Sequence, residues 1–409
     1  MPLFSIVIPT RNRAALLRAA LQSALAQTFD DYEVVISDNN STDDTADVVR
    51  AVGKGRVRYV GTGRDLSMRD SWEFALRQAR GEWVTILPDD DGVRTRLLTR
   101  VAAILRGRPT RLLQWTGATY FDASWPQAER RNTLLVPTFT RRIVELDSRE
   151  ALCGLFSFRG DRIPTFANSV CHRSILERVL RHPGKIFYGY CPDYSGSCVM
   201  LTQVPSYLFL DEVLSVGGAT NESTGMTGRY RRGLEFTRAH REHERGLAPI
   251  ETPLSVRTIT NYNAKTLLQL KGVLPAELAS YDVDWIRYFV CCHFELLEYE
   301  RVGEDATQER EEFLRVLSVQ PTAVQRAVRR SIQTERRRRV TGPLVVHCQQ
   351  SGIVDILGCL AYLESQSVTL RGVAKAFVLS VFPGRRGLRV ARRLGRLAER
   401  CGLGARREV

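Results

Sequence analysis

The first ninety or so residues alternate short apolar runs with segments of helical period, and few folds accept that order. Phe4-Ser-Ile-Val-Ile-Pro9 is brief, apolar and closed by proline, as expected of a buried strand. From Ala14 to Gln27, residues Leu16, Leu17, Ala20, Leu21, Ala24 and Leu25 fall at helical spacing. Tyr32 to Ser37 reads as a second strand. Thr45 to Ala51 reads as a helix that the polar turn Asp38-Asn-Asn-Ser-Thr-Asp-Asp44 can cap. Val57 to Val60, Ser71 to Ala79 and Glu82 to Leu87 add strand, helix and strand. A βαβ series of this kind predicts a parallel sheet with helices on both faces. Ligands of such sheets bind outside the carboxyl ends of the strands. Thr10-Arg-Asn-Arg13, Asp38-Asn39, Gly61-Thr-Gly-Arg64 and Asp89-Asp-Asp91 each fall at such an end.

With 409 residues the chain exceeds one average domain. Between Thr95 and Val216 the pattern is mixed, with strands expected at Leu112–Trp115 and Tyr207–Leu210 and a helix at Ser174–Arg181. Beyond about residue 255 the reading is helical and irregular. A boundary is placed near 245–255, giving an α/β catalytic domain over 1–250 and a helical C-terminal domain over 251–409. No run of eighteen apolar residues occurs, so no spanning helix is expected. Met1 to Pro9 lacks a basic leader and reads as the first strand, not a signal peptide. The nine cysteines contain no C-x-x-C pair and read as free thiols of a reducing, cytoplasmic compartment.

Three consecutive carboxylates at a strand end are the sharpest chemical feature. Packed together they repel, and a hard divalent cation is their natural stabiliser. Magnesium or manganese held there can bridge a diphosphate and neutralise the charge on a leaving nucleotide. A solvated acidic turn is the alternative for a bare Asp-Asp-Asp, and its place after the fourth strand favours the metal. Asp38-Asn39 offers acceptors for a base N–H or a ribose hydroxyl, a role that can coexist with helix capping.

These blocks, Phe4 to Arg13, Ala26 to Thr45 and Ala79-Arg-Gly-Glu-Trp-Val-Thr-Ile-Leu-Pro-Asp-Asp-Asp91, resemble the family 2 glycosyltransferases of the GT-A fold. The resemblance covers roughly residues 3–100 and keeps the family's order and spacing. It implies a Rossmann-like, mostly parallel sheet and a nucleoside-diphosphate sugar donor. It also implies that Pro9, Thr10, Arg11, Asp38, Asn39, Arg69, Asp89 and Asp90 bind that donor, with Asp90 and Asp91 as metal carboxylates for Mn2+ or Mg2+. If Pro88 stands first in the family's D-x-D motif, Asp90 is the ligand and Asp89 faces the ribose; otherwise Asp89 and Asp91 form the pair. Arg11 replaces the aromatic residue that often follows Thr10, and Asn39 replaces a second acid common beside Asp38, so a uracil base is not implied.

Gly189-Tyr-Cys-Pro-Asp-Tyr194 resembles a Pro-Asp-Tyr block of a bacterial branch that includes abequosyltransferase-like enzymes, in which the acid is the base of inverting members. Asp193 is the corresponding candidate, and a turn-forming Pro-Asp is the structural alternative. Gly217-Gly-Ala-Thr-Asn-Glu-Ser-Thr-Gly225 resembles a loop of the same branch. Arg229, Arg231 and Arg232 follow as possible diphosphate clamps or as a solvated basic loop. His240-Arg-Glu-His243-Glu244 lacks the H-E-x-x-H order of a zinc site.

The net charge of +14 is concentrated at the end of the chain. Residues 326–409 hold 18 lysines and arginines against 5 acids, whereas 41 and 40 precede them. From Arg385 to Leu403, Leu388, Ala391, Leu394, Leu397 and Cys401 oppose Arg389, Arg392, Arg393, Arg396 and Arg400. The pattern fits a basic amphipathic helix lying on anionic lipid or packed on its own domain, and no nucleic-acid module accompanies it. The expected function is an inverting, metal-dependent transfer of sugar to a hydroxyl acceptor in bacterial surface glycan or glycolipid synthesis, with the enzyme cytoplasmic or peripheral at the inner membrane face. The alternatives are a natural-product enzyme with a soluble acceptor and a degenerate GT-A binding module.

Overall fold

A computed structural model describes residues 1–160, 162–223, 247–301, 303–338 and 344–365. The arginines at 229, 231 and 232, the 240–244 run and the 385–403 segment lie outside the described residues. The opening series is realised: β1 (Phe4–Thr10), β2 (Tyr32–Asp38), β3 (Val57–Gly61) and β4 (Trp83–Ile86) alternate with α1 (Ala14–Leu25), α2 (Thr45–Gly53) and α3 (Met68–Arg77). Then come β5 (Gly92–Val93), α4 (Leu97–Gly107), β6 (Leu112–Phe121), β7 (Thr133–Val136), β8 (Ile143–Asp147) and α5 (Ser148–Phe156). β9 (Ser169–His172), α6 (Arg173–Arg181), α7 (Pro192–Thr202) and β10 (Ser206–Ala219) complete this part.

The sheet runs β11-β7-β6-β9-β4-β1-β2-β3, where β11 is Leu344–His347, and β10 pairs with β5, β6 and β8. It is parallel from β3 to β4 and mixed beyond, because β9 enters antiparallel between β4 and β6. Burial explains the parallel half. Every residue of β1 is buried, and alternate side chains feed opposite cores. Ile6 and Ile8 pack with Leu17 and Leu21 of α1, whereas Val7 packs with Ala75 and Leu76 of α3. In register, Thr10 pairs with Asp38 and Asp38 with Gly61, so three of the polar clusters meet at one sheet edge.

The later region is mainly helical: α8 (Ile259–Val273), α9 (Pro275–Leu278), α10 (Trp285–Arg301), α11 (Thr307–Ser318), α12 (Thr322–Arg338) and α13 (Ile356–Ser365). Leu267 and Leu270 of α8 join the core of α3, α5 and α7, and Tyr288 and Phe289 of α10 pack with Phe121 and Trp125. Two features of this mainly helical region join it to the sheet. β11 adds to β7, and α13 lies against β5, the strand that follows the aspartate triplet. A Cβ on Gly92 would come within 2.9 Å of Leu360. Arg94, itself buried, donates to the Leu363 carbonyl at 2.9 Å and to Glu364 at 2.6 Å. These contacts are long-range and leave no local periodicity to read.

Candidate active site

The first turn of the site is built where β1 ends. Asn12 takes a left-handed conformation, φ 52°, and its side-chain oxygen accepts from the Thr42 amide at 2.7 Å. Asn12 donates its own amide to Ser41, and Asp43 accepts the Ala14 amide at 2.9 Å. The loop after β2 therefore fixes the entry to α1 and supplies the negative charge favoured at a helix N-terminus. Asp43 also accepts from Thr45 at the start of α2, as the polar turn predicts. These hydrogen bonds hold its carboxyl below the ordinary range, against the opposing effect of desolvation.

From that turn Arg13 reaches the triplet. Its guanidinium contacts Asp89 Oδ1 through Nη1 and Asp90 Oδ2 through Nη2, the latter at 2.9 Å. Thr10 donates to the other Asp89 oxygen at 2.7 Å. Both oxygens of Asp89 are thus held by protein groups. Asp90 Oδ2 also accepts from Ser223 at 2.7 Å, and Asp91 Oδ1 accepts the Gly218 amide at 2.9 Å. Asp90 Oδ1 and Asp91 Oδ2 have no partner among the described residues. The approach of β10 requires glycine, because a Cβ on Gly218 would lie 1.9 Å from the Asp90 carbonyl oxygen. Desolvation raises the Asp89 carboxyl to about 6, with Arg13 opposing it and Asp90 reinforcing it. Desolvation and then Asp90 push Asp91 upward as well.

The oxygens left open suit a hard cation. Magnesium and manganese sites of this kind use one or two carboxylates and complete their shell with water and substrate phosphate. No three His, Cys, Asp or Glu side chains converge into a full protein cage among the described residues. Asp90 and Asp91 fit such an open site better than Asp89, whose oxygens are occupied.

The other candidates are placed differently. Pro9 is buried beside Thr10. Asp38 accepts from the Tyr59 hydroxyl and from the Ser41 amide, which raises the Tyr59 phenol after the larger effect of burial. The Asn39 amide pairs both ways with the backbone of Leu66, at 2.9 Å each, and so anchors the loop after β3. Arg11 bridges to Asp65 at 2.7 Å on the same loop. That loop and the 183–189 segment border an open cavity of about 760 Å³, lined by Arg64, Ser67, Arg69, Lys185 and Tyr188 among others. Arg69 therefore borders this cavity, whose lining does not include the aspartates that Arg13 binds. Glu73, buried on α3, fixes the far wall by accepting the Ile186 and Phe187 amides.

Asp193 lies in the first turn of α7, behind Pro192 at the helix start, where proline's missing N–H costs nothing. It is exposed and accepts the Tyr194 amide at 2.9 Å. The Pro-Asp pair therefore begins a helix rather than a free turn. α7 packs on Phe166–Asn168, whose Phe166 carbonyl accepts from Thr85 of β4 at 2.9 Å. The strand that delivers the triplet thus also supports the helix that carries Asp193. Sequence reading placed Arg13 in a polar cluster at a strand end but gave it no role, and the bridge it makes spans 76 and 77 positions.

Comparison with known proteins places relatives on the first part of the chain. The profile of glycosyl transferase family 2 matches residues 5–180. Over 94 residues the chain is 40% identical to the GalNAc(5)-diNAcBac-PP-undecaprenol beta-1,3-glucosyltransferase of Campylobacter jejuni, covering 22% of this chain and 30% of that one. A PGL/p-HBAD biosynthesis glycosyltransferase of Mycobacterium bovis is 37% identical over 107 residues, 25% of this chain and 42% of the relative. The validoxylamine A glucosyltransferase of Streptomyces hygroscopicus is 52% identical over 63 residues, 15% of each chain. The chain thus matches less than half the length of each of these relatives. Among solved structures, S. aureus TarS 1-349 in complex with UDP-GlcNAc aligns with a TM-score of 0.47 at 14% identity, over 80% of this chain and 81% of that one.

Proposed function

We propose that this chain, whose residues 5–180 form a glycosyl transferase family 2 domain, transfers a sugar from a nucleoside-diphosphate donor to a hydroxyl acceptor with a divalent cation at Asp90 and Asp91. One observation carries the reading: Asp89 is fully engaged by Arg13 and Thr10, while its two neighbours each keep an oxygen open. Bound there, Mn2+ or Mg2+ supplies Lewis-acid stabilisation of the diphosphate leaving group. The chain's own part is to orient the donor. Pro9 and Thr10 line the nucleotide, Asp38 and the loop anchored by Asn39 shape the base end, and Arg11 and Arg69 border it.

Asp193 takes the acceptor proton in this reading, on the face opposite the departing diphosphate, so that the anomeric configuration inverts. Exposure of its carboxylate at a helix start supports the assignment. The acceptor favoured is a hydroxyl of a lipid-linked glycan, since the Campylobacter relative is named for an undecaprenol-linked substrate. A soluble acceptor is the second reading, and the relative that acts on validoxylamine A favours it. No helix among the described residues is long and apolar enough to cross a membrane.

Calorimetry with a panel of nucleoside diphosphates tests the donor reading. One nucleotide is expected to bind at least about tenfold more tightly with Mn2+ than in chelator, a gain of about 1.4 kcal/mol. Equal binding of all the nucleotides, unaffected by metal, would remove it.

A further inference from the structure

Arg13 is held in place from both sides. Its backbone belongs to the turn that Ser41, Thr42 and Asp43 fix, and its side chain is only 19% exposed. The guanidinium does not grip one carboxylate with both ends. It spans two, giving Nη1 to Asp89 and Nη2 to Asp90, and leaves its Nε buried without a hydrogen-bond partner. Arginine suits this geometry because its donors form a rigid planar fork, which a lysine ammonium lacks. The neighbouring Glu222 adds a further negative charge that Arg13 feels.

One guanidinium against the three carboxylates of the triplet, with Glu222 nearby, leaves an excess of negative charge that a divalent cation can offset. We propose that Arg13 is the positioning residue of the triplet. It reserves Asp89 for the protein and presents Asp90 and Asp91 to the metal, with its Asp90 contact competing against that metal. The proposal rests on the divalent-cation reading of the site. It makes the donor-free enzyme stable without metal, because the guanidinium relieves the repulsion that the cation would otherwise have to relieve.

Arg13→Met removes the charge while keeping much of the length, and Arg13→Lys keeps the charge without the fork. Both are studied in the full chain without donor, by calorimetry with Mn2+ and by thermal unfolding in chelator or Mn2+. Loss of a positive charge beside a divalent site should tighten Mn2+ binding by roughly tenfold or more in Arg13→Met. That variant should melt several degrees lower in chelator and regain most of the difference in saturating Mn2+. Arg13→Lys should fall between it and the wild type on both readouts. The proposal is overturned if the wild type binds Mn2+ and Arg13→Met binds it equally or more weakly, or if Mn2+ does not restore the variant's midpoint. A wild type that binds no Mn2+ at all overturns the metal reading itself, and this proposal with it.

Discussion

Asp90→Ala should lower donor turnover by roughly a thousand-fold or more, which corresponds to about 4 kcal/mol of lost transition-state stabilisation. The carboxylate has one oxygen committed to Arg13 and Ser223 and the other open, so alanine removes both a metal ligand and a structural contact. The two effects separate experimentally. A metal ligand acts on turnover and on Mn2+ affinity, whereas the Ser223 and Arg13 contacts act on stability. Asp90→Asn preserves the shape and one acceptor oxygen, so it should retain the thermal midpoint more closely than alanine while losing most of the turnover. An Asp90→Ala enzyme with wild-type turnover would remove this residue from the metal site.

Asp193→Asn should lower turnover by roughly a hundred-fold or more while leaving nucleotide affinity within about twofold, because a general base acts only as the acceptor proton is lost. Asp193 is exposed in the first turn of α7, and asparagine can still accept the Tyr194 amide hydrogen bond there. A proportionate fall in nucleotide affinity and stability would instead mark Asp193 as a residue that holds α7 in place. A product of retained anomeric configuration would exclude the inverting role.

Much of this arrangement is legible before any coordinates. The fully buried β1 and the period of α1 are local signals, and parallel pairing then brings Thr10 beside Asp38 without further instruction. The Asp triplet stands out because charge at the end of an apolar strand is locally costly. What stays hidden depends on distant partners. The expected strand at Leu112–Trp115 runs on to Phe121, because Ser215 to Ala219 of β10 pair beyond it and override the weak strand preference of Gly117 and Ala118. Gly218 carries no local hint that it must admit the Asp90 carbonyl. Asn39 looks like a free acceptor in sequence, yet its amide is spent on Leu66, 27 positions away. Arg13 is hidden for the same reason, since only the fold sets it against Asp89 and Asp90.

Donor consumption by the purified full chain tests the central claim most directly. The chain is offered a panel of nucleoside-diphosphate sugars, with Mn2+ or with chelator, and free nucleoside diphosphate is measured. The account predicts release from one donor or a small group of donors, dependent on the metal and abolished in Asp90→Ala. Release that persists in full in chelator would contradict the metal site, and no release from any donor, with and without candidate hydroxyl acceptors, would contradict the transferase reading itself.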